Sequence, residues 1–327
     1  MIGIKDIAQM AGVSVATVSN ALNGKKNVGD ATRKKILDLC KEHGYAHAAI
    51  NQEESSGNGG IKTILFNFSD FDRNFYLEII NGVNSYVREH GYDLMICTRV
   101  SCEKFMKSGL TNGCIILDMA MNNSLLRSVA CKEYPIITLD RYVEHPYIKG
   151  ILINNYDAMA ELTRGLVRRG YRRFDFIGGP EKTDDNMERY GAFTDVLEKN
   201  RIRFPSERYH TGDYRQKSGY MITRMMALSG NLPDCIVCAN DLMAIGAMKA
   251  LNEAGYRVPE DVAVTGFDDC MLAGPMGLTT VSIPNYERGY IAAQYLIEGM
   301  KNDSRSGPVK INAKVKWRGS VKDKLYE

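Results

Sequence analysis

The sequence predicts an α/β protein with a small helix-turn-helix head and two doubly wound parallel-sheet subdomains behind it. Three observations predict this. Amphipathic helical patterns fill residues 4–43 and then stop. Residues 51–60 read Asn-Gln-Glu-Glu-Ser-Ser-Gly-Asn-Gly-Gly, hold no apolar side chain and cannot bury surface, as a flexible linker requires. From Ile61 onward apolar runs alternate with helical patterns, which is how the strands and crossover helices of parallel sheets read.

The head reads as three short helices. Ile4, Ile7, Ala8 and Ala11 fall at i, i+3, i+4 and i+7, the spacing of one buried helical face. Gly12-Val13 breaks that helix, and Ser14 can cap the next by accepting a backbone N–H near Thr17. Val18 and Leu22 continue the apolar face until Asn23-Gly24 ends it. A third helix runs from about Asp30 to His43, with Ile36, Leu39 and Cys40 inward and Gly44 at C′. Helix, short glycine turn, helix is the helix-turn-helix pattern.

Strands are expected at 63–68, 93–98, 114–118, 135–139, 150–153, 174–178, 235–239 and 262–266. Helical stretches lie between them at 75–90, 156–169, 187–199, 216–229 and 241–254. Roughly 265 residues with this many strand–helix units exceed one doubly wound sheet, so two stacked α/β subdomains are expected.

With 44% hydrophobic and 25% charged residues, the 327-residue chain has the make-up of a soluble globular protein of two to three domains. Its apolar runs fall short of a membrane span, and its N-terminus lacks the apolar core of a signal peptide. A cytoplasmic address and no membrane partner are expected. The net charge of +3 is located entirely in the head. Residues 1–50 carry seven basic against four acidic side chains, and the remainder carries 35 of each. Such asymmetry marks a polyanion-binding module on a neutral body.

Several chemistries are disfavoured. The eight cysteines are scattered in mostly apolar contexts and read as reduced thiols. Cys235-Ile-Val-Cys238 has redox spacing, but it sits inside a strand-like run with no helix start at the first Cys. The five histidines (43, 47, 90, 145, 210) show no metal-ligand spacing. Gly178-Gly179-Pro180 is not a dinucleotide fingerprint, and no Walker-type phosphate loop occurs. With no nucleophile–base constellation, neither catalysis nor a cofactor or metal is expected.

Two long stretches make the reading specific. Ile4-Lys-Asp-Ile-Ala-Gln-Met-Ala-Gly-Val-Ser-Val-Ala-Thr-Val-Ser-Asn-Ala-Leu-Asn23-Gly24 resembles the DNA-binding head of the LacI/GalR family of bacterial transcription regulators. Asn240-Asp-Leu-Met-Ala-Ile-Gly-Ala-Met248, Arg257-Val-Pro-Glu-Asp-Val-Ala-Val-Thr-Gly-Phe-Asp-Asp269 and Leu278-Thr-Thr-Val281 resemble its periplasmic-binding-protein-like effector domain. The resemblance implies a head at 1–46, a hinge at 47–62 and an effector and dimerisation domain at 63–327. Within the last, it implies an N-subdomain of about 63–153 plus 285–308 and a C-subdomain of about 154–284 plus 309–327.

It also implies that the second helix enters the DNA major groove, with Val15, Ala16 and Asn20 at the base-reading positions. Relatives often carry Arg where this chain has Asn20. Asn can bond adenine N6 and N7, whereas Arg favours guanine, and Val15 and Ala16 are short enough to touch thymine methyls. Ser14, Thr17, Ser19, Asn23 and Thr32 are implied phosphate contacts, which position a head without reading sequence. The hinge departs from the family pattern. Where relatives carry Pro, Asn, Ala and a Leu that wedges into the minor groove, this chain has His47, Ala48, Asn51 and Glu54. A carboxylate cannot act as an apolar wedge and is repelled by phosphate, so weaker operator bending is expected.

Ligands of doubly wound sheets bind at the carboxyl ends of strands. Asp140, Asn240 and Asp268 follow strands there, and Arg189 lies on the segment after 174–178. The resemblance adds Phe75, Tyr76 and Tyr214 to Asp140, Arg189, Asn240 and Asp268 as ligand contacts. Asp accepts from hydroxyls, Arg and Asn donate, and an aromatic ring covers an apolar sugar face. Ile283 stands where many relatives have Gln. The expected protein is a homodimeric, ligand-responsive repressor of a pseudo-palindromic operator, with a carbohydrate effector between the subdomains. A purine-like effector, a solute-binding or sensory protein with a vestigial head, and an enzyme on the same frame are the alternatives. No Leu heptads follow Val321, so a tail-built tetramer is not expected.

Overall fold

The computed structural model describes residues 3–22, 28–43, 62–69, 76–181, 183–301 and 307–326. The expected helix end at Asn23-Gly24, the C′ at Gly44 and the hinge positions His47, Ala48, Asn51 and Glu54 lie outside the described residues. So do Asn23 and Phe75 as expected contacts.

The head contains α1 (Ile4–Ala11), α2 (Val15–Leu22) and α3 (Asp30–Glu42). Gly12 takes a left-handed conformation (φ +71°), which closes α1 by sending its N–H and that of Val13 back to Gln9 O and Ala8 O. Lys35 Nζ then donates to Ala11 O at 3.1 Å, placing a cation on the C-terminal carbonyls of α1. Ile7, Ala8, Ala11, Val18, Ala21, Leu22, Ile36, Leu37 and Cys40 form one buried cluster, with Ile4 and Leu39 half-buried against it.

The body begins with β1 (Thr63–Phe68), α4 (Tyr76–Glu89), β2 (Asp93–Thr98), α5 (Arg99–Ser108), β3 (Cys114–Leu117), α6 (Asn123–Val129), β4 (Ile136–Thr138) and β5 (Ile148–Ile153). It continues with α7 (Asn155–Arg168), β6 (Phe174–Gly178), α8 (Asp184–Lys199), β7 (Tyr209–Thr211), α9 (Gln216–Ser229), β8 (Cys235–Cys238), α10 (Asp241–Glu253) and β9 (Ala263–Thr265). It closes with β10 (Thr280–Ser282), α11 (Asn285–Lys301), β11 (Val309–Ile311) and β12 (Lys314–Lys316). Six parallel strands in the order β11-β5-β4-β3-β1-β2 make one sheet, and four in the order β7-β6-β8-β9 make the other. β10 and β12 form an antiparallel pair that joins β9 through bridges at Thr265–Thr279 and Asp268–Ser282.

Strand periodicity sorts the first core into two faces. Ile64, Phe66 and Phe68 pack with α4 and α11, whereas Leu65 points to the other face with Cys97, Cys102 and Met106. α4 and α11 meet closely at two glycines. A Cβ on Gly82 would run into Tyr286 O, and one on Gly289 into Ile79 O. The second sheet buries Phe174, Phe176, Phe193, Val237 and Val264 in a separate core.

The chain passes between subdomains three times: after β5, between β10 and α11, and after β11. The last crossing corrects the expected boundary. β11 pairs with β5 (Val309↔Ile151, Ile311↔Ile153), so residues 309–311 belong to the first sheet rather than the C-subdomain. All eight cysteines are free thiols, and Cys235 and Cys238 are fully buried within β8, where burial pushes both thiols up. Among the described residues no helix is long and apolar enough to cross a membrane, and no group of His, Cys, Asp and Glu is placed to hold a metal.

Candidate functional site

Two regions carry recognition chemistry. The first is the outward face of α2. Val18, Ala21 and Leu22 turn inward, which leaves Ser14, Val15 and Ala16 exposed and Thr17, Ser19 and Asn20 partly exposed. Residues 16 and 20 lie one helical turn apart, on the same face. Ser14 Oγ accepts from Thr17 N at 3.0 Å and lies 2.8 Å from Thr17 Oγ1, so Ser14 caps α2 while remaining exposed. Thr32 is partly exposed on α3.

The second region is a cavity of about 250 Å³ between the two sheets, at the carboxyl ends of their strands. Ser69 after β1, Arg99 after β2, Asp118 after β3 and Asp140 after β4 line one wall, with Tyr76 at the start of α4. Asp185 and Arg189 on α8, Tyr214 after β7 and Asp268 after β9 line the other. Ile153, Ile283, Asn285 and Arg288 close it at the crossings.

Arg189 is 4% exposed and thoroughly held. Its Nε donates to Asn155 Oδ1 at 2.8 Å and its Nη1 to Ala239 O at 2.6 Å. Its guanidinium lies 3.8 Å from the centroid of the Phe267 ring, and Nη1 is 3.8 Å from Asp268 Oδ1. Asn155 in turn donates to Asp185 Oδ1 at 2.7 Å. Tyr76 and Tyr214 bring their hydroxyls to Ser69 Oγ (3.0 Å) and Thr183 Oγ1 (3.2 Å). Burial pushes the Tyr214 phenol up to about 12.

Asp140 is held by burial at about 7, against the pull of Arg141 beside it (Nη1 to Oδ2, 3.2 Å). Among the described residues its Oδ1 has no hydrogen-bond partner, and neither has Asn285 Oδ1. Arg141 spends its remaining donors on Asn123 Oδ1, Asp118 O and Met121 O, which fixes the loop after β3.

Asp268 occupies a strained loop. It has φ +118° and Asp269 has φ +57°, values that L residues rarely adopt. The loop is clamped from both sides. Asp269 accepts from Lys316 Nζ and Arg318 Nη2, each at 2.7 Å. Asp241 accepts from Cys270 N at 2.7 Å and Thr280 Oγ1 at 2.5 Å, and burial pushes it up to about 8.

The cavity thus brings together Tyr76, Asp140, Arg189, Tyr214 and Asp268. Asn240 is not among the residues that line the cavity. Its Oδ1 caps α10 by accepting from Met243 N at 3.0 Å, and its Nδ2 donates to Tyr214 O at 2.9 Å. Tyr214 sits at φ +65°, so Asn240 holds that ring's backbone rather than facing the cavity. Sequence reasoning missed Arg99, Asp118, Asp185, Asn285 and Arg288. Arg99 and Asp118 follow or end expected strands, a readable signal, whereas Arg288 lies on a helix not expected from the sequence.

Residues 3–47 match the family described as bacterial regulatory proteins, lacI family, and residues 163–321 match a periplasmic binding protein-like domain. The chain is 29% identical to the HTH-type transcriptional regulator RegA of Clostridium saccharobutylicum, covering 90% of this chain and 91% of that protein. It is 28% identical to the HTH-type transcriptional repressor PurR of Mannheimia succiniciproducens, covering 98% and 99%. Among solved structures, its fold matches the lac repressor dimer bound to operator and the anti-inducer ONPF (TM-score 0.72, 24% identity, 98% of each chain). It also matches a CelR–cellobiose complex (TM-score 0.72, 23% identity, 98% of this chain and 100% of that one).

Proposed function

We propose that this chain, whose residues 3–47 match the lacI family of bacterial regulatory proteins, is a cytoplasmic, ligand-responsive repressor of that family that binds a pseudo-palindromic operator as a homodimer. The relatives named are transcriptional regulators, and we read this chain as a regulator rather than an enzyme. The observation that carries the reading is the pairing of two surfaces on one chain: an outward, uncharged face of α2 on a basic head, and a polar cavity astride three chain crossings.

In this reading Val15, Ala16 and Asn20 contact base edges, and Ser14, Thr17, Ser19, Asn23 and Thr32 contact phosphates. The head spans 1–46, the hinge 47–62 and the effector domain 63–327, with its subdomain boundary moved to follow β11. The acidic Glu54 in the hinge leaves the operator less sharply bent. A hydroxylated small molecule, of the kind CelR holds in its cellobiose complex, occupies the cavity against Phe75, Tyr76, Asp140, Arg189, Tyr214 and Asp268. The orphaned acceptors Asp140 Oδ1 and Asn285 Oδ1 favour a ligand rich in hydroxyl donors. Ligand binding biases the angle between subdomains and hence the spacing of two heads, to the extent that its affinity differs between the two arrangements. Met221, Met225 and Leu228 lie on one face of α9 at 50%, 65% and 75% exposure, and Met271 and Leu272 are exposed nearby in sequence to that sheet's last strands. An apolar face of this kind supports a homodimer.

The test is an electrophoretic mobility shift on DNA upstream of the chain's own gene, with a salt series. A site bound at least ~10³-fold tighter than random DNA is expected. Affinity that never exceeds that for random DNA sinks the reading.

A further inference from the structure

Hydrogen bonds lace the three chain crossings into one unit. At the first, Asn154 N donates to Ile311 O at 2.9 Å and Asn154 Nδ2 to Asn312 Oδ1 at 3.2 Å, which ties it to the third. The strands that flank the second and third crossings, β10 and β12, pair antiparallel (Thr280↔Lys316, Val281↔Val315, Ser282↔Lys314). Rotation of one subdomain against the other is therefore felt along both strands.

The loop that carries Asp268 to the cavity is fastened to this unit on both sides. Asp268 N donates to Val281 O and Gly266 N to Thr279 O, each at 2.9 Å. Asp241 is 1% exposed and spans loop and strand, accepting from Cys270 N with one carboxylate oxygen and from Thr280 Oγ1 on β10 with the other. Asp269 reaches the end of β12, where its two oxygens accept from Lys316 Nζ and Arg318 Nη2 at 2.7 Å each. The Asp269 side chain is 13% exposed, so solvent screens these ion pairs far less than surface ones. Asp269 is not among the residues that line the cavity. Asp268 (φ +118°) and Asp269 (φ +57°) are successive residues in a region that L side chains hold only when their surroundings impose it.

Resting on the effector-binding reading above, we propose that Asp269 is a positioning residue: through Lys316 and Arg318 it makes the Asp268 loop and the crossings one body, so that a pull on Asp268 from the cavity is delivered to β10 and β12. A ligand then turns the subdomains without touching a crossing itself. Trp317, the chain's one tryptophan, lies between the two cations in sequence, with the Arg169 guanidinium 3.6 Å from its ring centroid. It reports on the end of β12 from inside the unit.

The test is hydrogen exchange by mass spectrometry on the full chain, free of ligand and DNA, with Trp317 emission read beside it. Three variants are compared with the wild type. Asp269→Gly accepts the left-handed backbone and removes only the anchor. Asp269→Asn also tolerates that backbone and keeps an acceptor for Arg318. Asp261→Ala removes an ion pair of similar length within the 257–261 turn (Arg257 Nη2 to Oδ1, 2.8 Å). In Asp269→Gly the amides of 280–286 and 309–318 are expected to exchange ~10-fold faster, a change of ~1.4 kcal/mol in local opening, with a shift in Trp317 emission. Asp269→Asn should fall between it and the wild type, and Asp261→Ala should leave both segments unchanged. If Asp269→Gly does not fold, the order of Asp269→Asn against the wild type and Asp261→Ala decides. Faster exchange confined to 266–270, with both crossing segments at the wild-type rate, overturns the proposal, and so does an equal rise in Asp261→Ala. None of these outcomes depends on whether the cavity holds a ligand, so failure here leaves the effector reading standing.

Discussion

The outward face of α2 presents short side chains, Val15, Ala16 and Asn20, that need almost no support beyond a helix cap and a small apolar cluster. The cavity relies on groups that are buried and charged, and every one of them is held by something else. Arg189 rests on Asn155, Ala239 and Phe267. Asp268 rests on a strained loop that Asp241, Lys316 and Arg318 clamp. The difference follows from solvent. A surface that reads DNA gains affinity from long-range charge and specificity from a few edges, and it can stay wet. A cavity that must hold a small molecule has to desolvate its charges first, so it needs a second layer to keep them paired and oriented.

That contrast predicts unequal costs for single substitutions. The largest effect is expected at Arg189→Met, which strips a buried cation from Asn155, Ala239 O and Asp268. Urea unfolding should show a loss of ~3 kcal/mol or more, together with loss of any ligand-induced change in operator affinity. A variant as stable as the wild type would mean that the guanidinium is not part of the scaffold. Asn20→Ala comes next, at ~1–3 kcal/mol on the preferred operator with one base position relaxed. Uniform weakening across all sequences would make Asn20 a backbone contact and erase the distinction between reading and positioning.

Smaller is the pH dependence of the cavity. Asp140 at about 7 and Asp241 at about 8 both stand above the ordinary 3.8. The folded chain therefore holds protons that the unfolded chain has released. The stability they contribute is complete below about pH 4 and is lost as pH rises through about 7 to 8, at no more than ~1.4 kcal/mol per pH unit per group. Asp140→Asn and Asp241→Asn should each flatten the slope of denaturation free energy between pH 5 and 8. A wild-type slope that rises with pH contradicts the burial argument. The smallest effect is expected at Ser14→Ala, about 1 kcal/mol of head stability through the lost cap on α2, read by thermal melting of the head transition.

How far the sequence carried each region follows the same physics. α2 and its cap were legible because the helix, the turn and the cap all depend on neighbours within four residues. β1 and β6 were found at 63–68 and 174–178 as expected, since a strand buried between two helical layers is nearly continuously apolar in sequence, and the half-exposed edge strand β2 was found at 93–98. α11 was not, because its inward side uses Gly289, Ala292 and Ala293 to approach α4, and small residues make a weak amphipathic pattern. Arg288 was missed with it. Asn240 shows the reverse case. Resemblance implies a ligand contact for it, and its sequence neighbours also allow the helix cap that the structure shows. The supporting layer, Asn155, Asp241 and Arg318 above all, acts across 34 to 49 residues of chain and leaves no local trace.

The most direct test is selection of bound duplexes from a random-sequence pool by the full chain, followed by sequencing and titration of the enriched site. Two heads on a twofold axis predict one enriched pseudo-palindrome, with half-sites about one helical turn apart or a multiple of it, and a shift in its consensus for Asn20→Ala. A pool that stays random after repeated rounds, or one enriched only for general richness in A·T without repeated half-sites, would contradict the account.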